Sequence, residues 1–586
     1  MKVEVSCVKY KLVFYDFESF KYDWVVVFID YDTRKKCTIV NDREKLITFY
    51  KSCMKNNVIL VGFNCRNFDQ WLLKGIIKGV DHYKLTNGLI NEGKKGYQLI
   101  PRHNEVPVIN FDVMQGFNGL KTLEAFLGMS IDETEVDFNL DRKLTNEEIQ
   151  STINYCTSDV LATIEVFEKS RHEFDSLIGL VEMYDLPLEA IGKTKAQLSA
   201  TILGAKRPER DRDDEWDIKL PDNLIIKKYT DVVEWFMSDE IKKPNVKYER
   251  EVYGVKHVFG LGGIHGATSK SEYDGIIALW DVASLYPSCI IEYDLMSRNV
   301  QDRNKYKEIK ETRLKLKRNK DPRQGSLKIV LNATYGILKD KHSQMYDPLM
   351  ANQVCIYNQL FLLMLIEMIE EKCGDKAQLI QSNTDGIYFQ FNDYETLEVA
   401  KTCVEEWEKI TRYEMELDMA KKVIQRDVNN YVLQMQNGKV KAKGSVVKEL
   451  KPLDYDLPIV NKAMKEYLIN GTPFEEYIAN ENRLIEYQKI YKLGSNYKCA
   501  IHNEQEYTHK VYRCFASKDE IDTPIMKLKK DKDKPDKYAG TPDHVFIDNG
   551  NIQDKLVPEK LDKEWYINRC ISEYKKFTGK EYKRQE

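Results

Sequence analysis

The sequence has no closely paired cysteines. Twelve cysteines are scattered singly between Cys7 and Cys570, and no CxxC motif occurs among the 586 residues. Zinc ribbons and iron–sulfur clusters usually take their ligands from such pairs, so we expect neither. Isolated cysteines are instead typical of reduced thiols inside a cell.

Long apolar runs are also scarce. The chain reaches the acids Asp16 and Glu18 without an apolar core long enough for a signal peptide. The longest apolar run, residues 359–370, is interrupted by Glu367 and is shorter than the roughly 20 residues that span a bilayer. We therefore expect neither export nor a membrane partner.

The net charge is small. Lys and Arg number 89 and Asp and Glu number 93, which gives a net charge of −4. The chain is therefore no polycation, and contact with nucleic acid would require local basic patches. At about 150 residues per domain, the length predicts roughly three to five domains. An apolar content of 42% excludes a mainly disordered chain.

Acidic residues follow two apolar segments near the start of the chain. The segment KLVFYDFES predicts a strand, and the alternation of side chains along it places Asp16 and Glu18 on one face. A second apolar run, at 57–63, leads to Asp69, where a helical pattern begins. Two acids therefore share one side of a predicted strand, and Asp69 lies at a predicted strand-to-helix junction.

A long helix is predicted from Thr145, which forms a capping box with Glu148. On this helix Tyr155 and Asp159 are four residues apart and therefore neighbours on one face. Taken singly, a DxE or a YxxxD motif is usually surface decoration. Clustered carboxylates, in contrast, can hold two divalent metals that activate water for phosphodiester cleavage.

The order of the motifs, DxE then NxxxFD then YxxxD, resembles that of DEDD-type 3′–5′ exonucleases, the proofreading domains of family B DNA polymerases. The resemblance implies an RNase H-like exonuclease domain in which four acids hold two metals: Asp16, Glu18, Asp69 and Asp159. It also implies that Tyr155 orients the attacking water.

Further residues match the DNA-binding parts of such domains. Asn64 and Phe68 belong to the second motif and are expected to contact the single strand. The segment GLKTLEAFLG resembles the single-strand-binding segment and contributes Leu120, although Gly119 stands where Ser or Thr is usual. Lys143, in KLTNEE, resembles a lysine that assists cleavage in phage members of the family.

The most specific string in the chain is DVASLYPS, which follows the apolar segment YDGIIALW. It resembles motif A of family B polymerases. The resemblance implies that Asp281 binds both metals with help from the carbonyl of Val282. Tyr286 would pack under the sugar and exclude a 2′-hydroxyl, with Ser284 and Leu285 beside the nucleotide.

The segment SLKIVLNATYG predicts a helix on which Lys328, Asn332 and Tyr335 share one face, with Gly336 as its C-cap. Alone it is equally well an ordinary amphipathic helix. Following motif A, it resembles motif B. The resemblance implies that Lys328 holds the incoming triphosphate and that Asn332 and Tyr335 line the nucleotide pocket.

A basic run precedes this helix. Residues 301–320 contain nine Lys or Arg against three Asp or Glu. A solvated helix face is the default interpretation of such a run. Arg313 and Lys317, four residues apart, are our candidates for further triphosphate contacts, because a tetra-anion requires several converging cations.

The segment LIQSNTDGIYFQF predicts two strands joined by a tight turn. It resembles motif C, which normally contains DTDS, but Asn383 replaces the first acid and Gly386 the serine. Asp385 remains as the acid that would pair with Asp281. Two carboxylates suffice for two-metal phosphoryl transfer when nucleotide phosphates and a carbonyl supply further oxygens.

Two looser matches follow. FGLGGIHGA resembles the YxGG element of the family, with Gly260 in place of Tyr, and suggests that Gly262 and Gly263 contact DNA. DVNNYVLQMQNGKVKAKG resembles the primer-gripping element, in which Tyr431 and Lys443 match.

The C-terminal part carries no motif. Between 488 and 518, basic residues alternate with tyrosines, which suits either a duplex grip through phosphate contacts or a solvated face. The basic members are Lys492, Lys498, Lys510 and Arg513. The polar stretch at 527–543 predicts a loop.

The resemblance implies an α/β and α+β multi-domain fold: an RNase H-like exonuclease followed by a right-hand polymerase with palm, short fingers and thumb. We place the exonuclease at 1–200, the palm at 201–295 and 341–430, the fingers at 296–340, and the thumb with the C-terminal region at 431–586. The intervals from Asp281 to Lys328 and on to Asp385 leave little room for the insertions that recruit a terminal protein in protein-primed phage polymerases.

The sequence therefore predicts a template-directed DNA polymerase that extends a nucleic-acid primer with dNTPs and proofreads with its exonuclease. Its cofactor would be Mg2+, two ions per site, with Mn2+ left open. We expect a phage or mobile-element protein acting in the host cytoplasm on a DNA primer-template, with replisome partners left open. One alternative is an exonuclease whose polymerase half is a DNA-binding scaffold. The other is a non-catalytic nucleic-acid-binding protein.

Overall fold

The structure is a computed structural model that describes residues 10–101, 106–114, 116–507 and 509–584. Within these residues, twenty-one strands and seventeen α-helices alternate along the chain, which confirms the predicted mixed α/β, multi-domain fold. The chain divides into two compact units. The first unit comprises Met1–Lys193, Leu450–Ile459 and Ala479–Tyr566, and the second comprises Thr194–Glu449, Val460–Ile478 and Ile567–Glu586.

The first unit begins with a five-stranded sheet in the order β3-β2-β1-β4-β5. Its strands are β1 (Lys11–Ser19), β2 (Trp24–Asp30), β3 (Lys36–Val40), β4 (Val58–Gly62) and β5 (Asn110–Asp112). Its helices are α1 (Arg43–Lys55), α2 (Asp69–Ile77), α3 (His82–Ile90), α4 (Gly96–Leu99), α5 (Leu120–Phe126), α6 (Asn146–Lys169) and α7 (Arg171–Met183). Strand β1 is central, antiparallel to β2 and parallel to β4.

The two faces of β1 have different partners. Tyr15 and Phe17 point into the main apolar core of the sheet. Phe14, on the opposite face, packs edge-on against Phe167 of α6 with ring centroids 5.2 Å apart. Because side chains alternate, Asp16 lies on the face that is directed towards α6.

Helix α6 begins where the sequence predicts it. The Thr145 side chain accepts a hydrogen bond from the Glu148 N–H, and the Glu148 carboxylate accepts one from the Thr145 N–H, so the capping box is complete. This cap satisfies two N–H groups that have no partner within the helix. It sets the register that carries Tyr155 and Asp159.

The second unit is built on a nine-stranded antiparallel sheet in the order β14-β13-β12-β9-β11-β10-β8-β7-β6. Its strands are β6 (Tyr248–Val252), β7 (Val255–Phe259), β8 (His265–Ala267), β9 (Glu272–Val282), β10 (Ala377–Asn383), β11 (Gly386–Phe391), β12 (Met415–Asp427), β13 (Asn430–Met435) and β14 (Val440–Lys443). The helices in this part of the chain are α8 (Lys195–Ile202), α9 (Thr230–Phe236), α10 (Leu285–Glu292), α11 (Asn304–Arg318), α12 (Gln324–Leu338), α13 (Pro348–Cys373), α14 (Tyr394–Thr411), α15 (Pro458–Asn470) and α16 (Phe474–Asn480).

Helix α13 is buried almost throughout its length. In the described part of the chain, the stretch Pro348–Lys376 alone is long and apolar enough to cross a membrane, and its apolar window is wholly buried in the fold. Core helices of folded domains have the same composition, because they face protein on every side.

Helix α12 differs from the prediction at its end. Gly336 was expected to cap the helix, but the helix continues to Leu338 and Lys339 is its C-cap residue. Ile337 and Leu338 are buried and continue the apolar face past the glycine. Burial of these two side chains therefore outweighs the weak helix propensity of Gly336.

The C-terminal part of the chain adds two small sheets to the first unit, in the orders β15-β18-β21 and β17-β16-β19-β20. The strands are β15 (Lys489–Lys492), β16 (Tyr497–His502), β17 (Gln505–Tyr507), β18 (Val511–Ala516), β19 (Met526–Lys529), β20 (Asp536–Lys537) and β21 (Val545–Ile547), and helix α17 (Lys563–Thr578) follows.

The predicted loop at 527–543 is wrong in part, because β19 and β20 pair within it as a hairpin. Position alone put these residues in the thumb region, whereas Ala479–Tyr566 groups with the N-terminal residues.

Arg513 on β18 is buried, with 0% of its surface exposed. Its guanidinium donates to the carbonyls of Asp548 and Gly550 and to the side chain of Gln488. It also donates to the carbonyl of Ala125, in the last turn of α5, at 3.1 Å and to that of Met129, just after the helix, at 2.8 Å. The interpretation of Arg513 as part of a duplex grip is therefore wrong, because its donors are occupied inside the first unit.

We expect Arg513→Met to lower the free energy of unfolding by about 3 kcal/mol or more, because four carbonyls and one amide oxygen lose their buried donor. Burial lowers the pKa of Arg513 to about 10, so the side chain is charged at neutral pH. Chemical denaturation followed by circular dichroism measures the change. Lys498→Met, at an exposed lysine of the neighbouring sheet, is the matched control and should change stability by less than about 0.5 kcal/mol. Equal stabilities for the two variants would contradict the assigned role.

Candidate active sites

Four acids of the first unit come together at one end of β1. Asp16 and Glu18 lie on the strand, Asp69 is the first residue of α2, and Asp159 lies on α6. The Phe17 N–H donates to Asp69 Oδ1 at 3.0 Å, which ties the start of α2 to the strand. Glu18, Asp69 and Asp159 are all less than 10% exposed. The structure therefore brings together acids that lie up to 143 residues apart (159 − 16).

Burial and mutual repulsion dominate the electrostatics of this cluster, which we call the four-acid cluster. Desolvation and the charges of neighbouring acids raise the pKa of Asp16 and of Glu18 well above their usual range. Desolvation raises the pKa of Asp69 to about 7. It also raises the pKa of Tyr155, with a further contribution from Asp159. Acids that resist ionisation together require a cation in order to be charged at neutral pH.

Lys121 supplies one positive charge to the cluster. Its Nζ donates to Asp159 Oδ1 at 2.5 Å and to Glu124 Oε1 at 3.2 Å, and it lies 4.8 Å from the centre of the Tyr155 ring. Sequence reasoning did not single out this lysine, although Lys121 and Glu124 are spaced three apart on α5 and both lie in the GLKTLEAFLG segment. Lys143, which was singled out, lies on an exposed segment before α6, and its role stays a prediction.

Cys156 is a second group that sequence reasoning treated only as an apolar helix position. Its Sγ lies 3.5 Å from Asp16 Oδ2 and 3.3 Å from the Asp16 carbonyl oxygen. Ligand atoms of Asp16, Glu18 and Cys156 all lie within 4.8 Å of one another, close enough to share one ion. The oxygen-rich donor set fits Mg2+ or Mn2+, which prefer carboxylate ligands.

The predicted DNA-contact residues of the first unit lie in the loop before α2 and at the start of α5. Asn64, Phe68 and Leu120 are each half-buried. Phe68 is the N-cap residue of α2, and Leu120 is the first residue of α5. Asp112, a buried acid that the sequence did not reveal, accepts hydrogen bonds from the N–H groups of Asn64, Arg66 and Met114 and thereby shapes the loop before Asp69.

In the second unit, Asp281 and Asp385 lie side by side. Asp281 is near the end of β9, and Asp385 lies in the turn between β10 and β11. Gly386 is the pairing partner of Asp281, and the Val282 N–H donates to the Asp385 carbonyl at 2.7 Å. Burial and then the charge of Asp385 raise the pKa of Asp281 to about 6, and burial also raises that of Asp385. Two acids 104 residues apart in sequence (385 − 281) thus share one site.

The departures from DTDS have structural reasons. A Cβ atom on Gly386 would lie 2.0 Å from Asp281 Oδ1, so no side chain fits at this position without displacing the acid. Asn383 donates from Nδ2 to the Val428 carbonyl at 2.8 Å. This hydrogen bond connects β10 to the turn between β12 and β13. Its amide therefore has a structural contact where the family motif has an acid.

Two further acids lie close to Asp281 on the adjacent strand β12. Glu416 is the pairing partner of Asp281, and the charges of Asp418 and Glu416 both raise its pKa. Lys441 pairs with Asp418 at 2.6 Å and its charge acts in the opposite direction on Asp281. Sequence reasoning missed these groups because the pairing of β9 with β12 joins residues more than 130 apart.

Aromatic and basic side chains lie beside these acids. The rings of Tyr286 and Tyr335 stack with centroids 4.1 Å apart and an angle of 5° between their planes. Arg313 Nη1 lies 3.5 Å from Ser284 Oγ, and Ser284 has a left-handed φ of 56° at the turn from β9 to α10. The structure therefore brings motif A together with α12 and with one member of the basic run.

Other members of the basic run differ in their surroundings. Lys310, which the sequence did not distinguish within the run, donates to Ser288 Oγ at 3.0 Å. Lys317, Lys328 and Asn332 are exposed, and Leu285 is buried as the first residue of α10. Their predicted nucleotide contacts stay predictions.

A cavity of about 610 Å³ lies next to the Asp385 turn. Its lining includes Gly262, Gly263 and the cations Lys243 and Lys247. A Cβ atom on Gly263 would lie 2.9 Å from Thr384 Oγ1, so the glycine permits close approach of the motif C turn. The lining of the cavity therefore combines positive charge with several glycines.

The primer-grip match also has a defined place in the fold. Tyr431 on β13 and Lys443 on β14 are pairing partners, and the Tyr431 ring contacts that of Tyr388 on β11. Burial raises the pKa of Asp385, and the charge of Lys443 partly opposes this rise, so this lysine lies within electrostatic reach of the second acid. The side of the sheet from β12 to β14 therefore carries both acids and cations near the Asp281 site.

Comparison with known proteins found similar solved structures but no similar sequence. No protein-family model matches the sequence, and no curated protein matches it. Among solved structures, the chain is similar to the family B DNA polymerase from the hyperthermophilic archaeon Pyrobaculum calidifontis, with a TM-score of 0.42 and 13% identity over 98% of this chain and 79% of that chain. A likeness at this level carries no argument about activity, which rests on the residues themselves.

Proposed function

We propose that the protein is a template-directed DNA polymerase that extends a nucleic-acid primer with dNTPs and carries a 3′–5′ proofreading exonuclease. The observation that supports the polymerase most strongly is the adjacency of Asp281 and Asp385, each at the end of a strand and each with a raised pKa. The four-acid cluster supports the exonuclease in the same way.

In the polymerase site, Asp281, Asp385 and the Val282 carbonyl would hold Mg2+ or Mn2+. Such ions supply activation of the primer 3′-hydroxyl and stabilisation of the pyrophosphate. Glu416, the pairing partner of Asp281 on β12, adds a third carboxylate to the site, on the opposite side of β9 from Asn383.

The remaining residues of the site bind and orient the nucleotide. Lys328, Arg313 and Lys317 neutralise the triphosphate, because a transferring phosphoryl group requires converging positive charge. The Tyr286–Tyr335 stack holds Tyr286 rigidly, so its ring excludes a ribose 2′-hydroxyl. Ser284, Leu285 and Asn332 complete the pocket wall.

In the exonuclease site, Asp16, Glu18, Asp69 and Asp159 would hold two Mg2+ ions, and these ions supply the acidified water that attacks the phosphodiester. Tyr155 orients that water, and Lys143 assists from the segment before α6. The single strand passes over Asn64, Phe68 and Leu120.

The polymerase contacts its primer-template through Gly262, Gly263, Tyr431 and Lys443. We place the exonuclease at 1–200, the palm at 201–295 and 341–430, the fingers at 296–340 and the thumb with the C-terminal region at 431–586. Within the last region, residues 479–566 support the exonuclease fold through Arg513.

The short intervals between the motifs leave little room for terminal-protein insertions, so the primer is a nucleic acid. We propose a phage or mobile-element origin and action in the host cytoplasm.

The two acid sets give separable activities. On a primer-template with dNTPs and Mg2+, we expect Asp385→Asn to reduce incorporation on the order of 10³-fold or more while digestion of single-stranded DNA persists. Asp16→Ala should abolish digestion and leave incorporation intact. Gel analysis of end-labelled primers measures both activities in one reaction.

The same assay separates the alternatives. An exonuclease with a scaffold-like polymerase half would digest but never incorporate, even in the unmodified protein. A non-catalytic nucleic-acid-binding protein would do neither, with binding independent of Mg2+. Either result would overturn the polymerase assignment.

The close approach at Gly386 predicts a second effect. Gly386→Ala places a methyl group where Asp281 Oδ1 now lies, so we expect incorporation to fall by about 100-fold or more through displacement of the acid. Digestion by the first unit is the internal control and should be unchanged. Unimpaired incorporation by this variant would show that the Asp281 side chain is not held at this position during catalysis.

A further inference from the structure

Lys121 is shared between two carboxylates of different surroundings. Its ammonium group lies 2.5 Å from Asp159 Oδ1 and 3.2 Å from Glu124 Oε1. Asp159 belongs to the four-acid cluster, whereas Glu124 lies on α5, one turn after Lys121. The lysine thus has one partner that would bind metal and one partner outside the proposed ligand set.

Glu124 has no other evident task. Its side chain is 3% exposed, and its Oε2 atom has no hydrogen-bond partner within the described residues. A buried carboxylate oxygen without a donor is costly, because it has lost its water without gaining a replacement. The free oxygen is therefore an acceptor that a nearby cation can still use.

The surroundings of Lys121 allow movement. A cavity of about 370 Å³ is lined by Lys121 and Glu124 together with Ser130, Asp132 and Glu165. A lysine ammonium on its flexible stem can change position in such a space without displacing packed side chains. Movement from Asp159 towards Glu124 requires a shift of the ammonium group only.

We propose that Lys121 acts as an internal counter-ion that occupies Asp159 in the metal-free protein and transfers to Glu124 when a divalent cation binds Asp159. This inference rests on the proposed exonuclease function of the cluster. Without metal, the lysine reduces repulsion among buried acids. With metal, repulsion between two cations at one carboxylate drives the lysine away, and Glu124 receives it.

The movement of Lys121 also changes the surroundings of Tyr155. Lys121 lies 4.8 Å from the centre of the Tyr155 ring, so its departure changes the contacts of the residue that we propose to orient water. Lys121 and Glu124 are therefore positioning residues. They change metal affinity directly and cleavage only through it.

The test measures Mn2+ binding by calorimetry and by thermal melting of the full chain. The background is Asp281→Asn with Asp385→Asn, which removes the other proposed metal site. In this background we expect Glu124→Gln to weaken Mn2+ binding by about tenfold, because Lys121 then stays on Asp159. Lys121→Met should bind Mn2+ about tenfold more tightly and melt at a lower temperature without metal.

The double variant decides whether the two residues act together. If Glu124 acts only by receiving Lys121, Glu124→Gln should have little further effect on Mn2+ affinity once Lys121→Met is present. Two matched charge controls should not change Mn2+ affinity. Glu165→Gln removes a charge from the lining of the same cavity on α6, and Lys169→Met removes one at the exposed end of α6.

Failure of this inference differs from failure of the proposed function. Mn2+ binding that depends on Asp16, as judged with Asp16→Ala, but is the same in Glu124→Gln as in Glu165→Gln would overturn the transfer and leave the exonuclease assignment intact. Additive effects in the double variant would also overturn it. Absence of Asp16-dependent Mn2+ binding together with absence of digestion would overturn both.

Discussion

Repulsion between buried carboxylates is the constraint on which both candidate sites depend. In the first unit, burial and neighbouring charges raise the pKa of Asp16 and Glu18, and in the second they raise that of Asp281. Grouped acids of this kind destabilise the fold unless cations compensate their charge. A fold that contains them therefore needs a gain in stability or in function that offsets this cost. The two-metal phosphoryl chemistry that we propose would use both sets.

Backbone pairing holds the acids in place in both units. In the first unit, the Phe17 N–H binds Asp69, which fixes a helix start against a strand. In the second, pairing of β9 with β11 and β12 aligns Asp281 with Gly386 and Glu416. Because strand register moves in whole residues, a slip would separate the acids completely, and the sheet therefore specifies the site strongly.

The two units compensate their acids differently. The four-acid cluster has a resident cation, since Lys121 donates to Asp159 and Glu124. At Asp281, positive charge comes from Lys441, which is already paired with Asp418, and from the basic helix that presents Arg313 near Ser284. The first unit therefore compensates its acids with an internal lysine, whereas the cations near Asp281 are paired with another acid or lie on a neighbouring helix. Arg513 shows a third use of buried charge, because it donates to the Ala125 carbonyl in the helix that carries Lys121 and to the Met129 carbonyl in the segment that follows.

The sequence by itself determined the local features of this protein. Strand periodicity placed Asp16 and Glu18 on one face, the capping box set the start of α6, and two apolar runs separated by a short turn predicted the β10–β11 hairpin, because each of these depends on residues close together in the chain. The residues of that turn are Thr384 and Asp385, and Gly386 is the first residue of β11. Only the tertiary structure revealed Lys121 beside Asp159, Glu416 beside Asp281, the clash that requires Gly386, and the burial of Arg513. These features depend on pairing and packing between residues far apart in sequence. The local sequence around a residue does not indicate which distant strand or helix will pack against it.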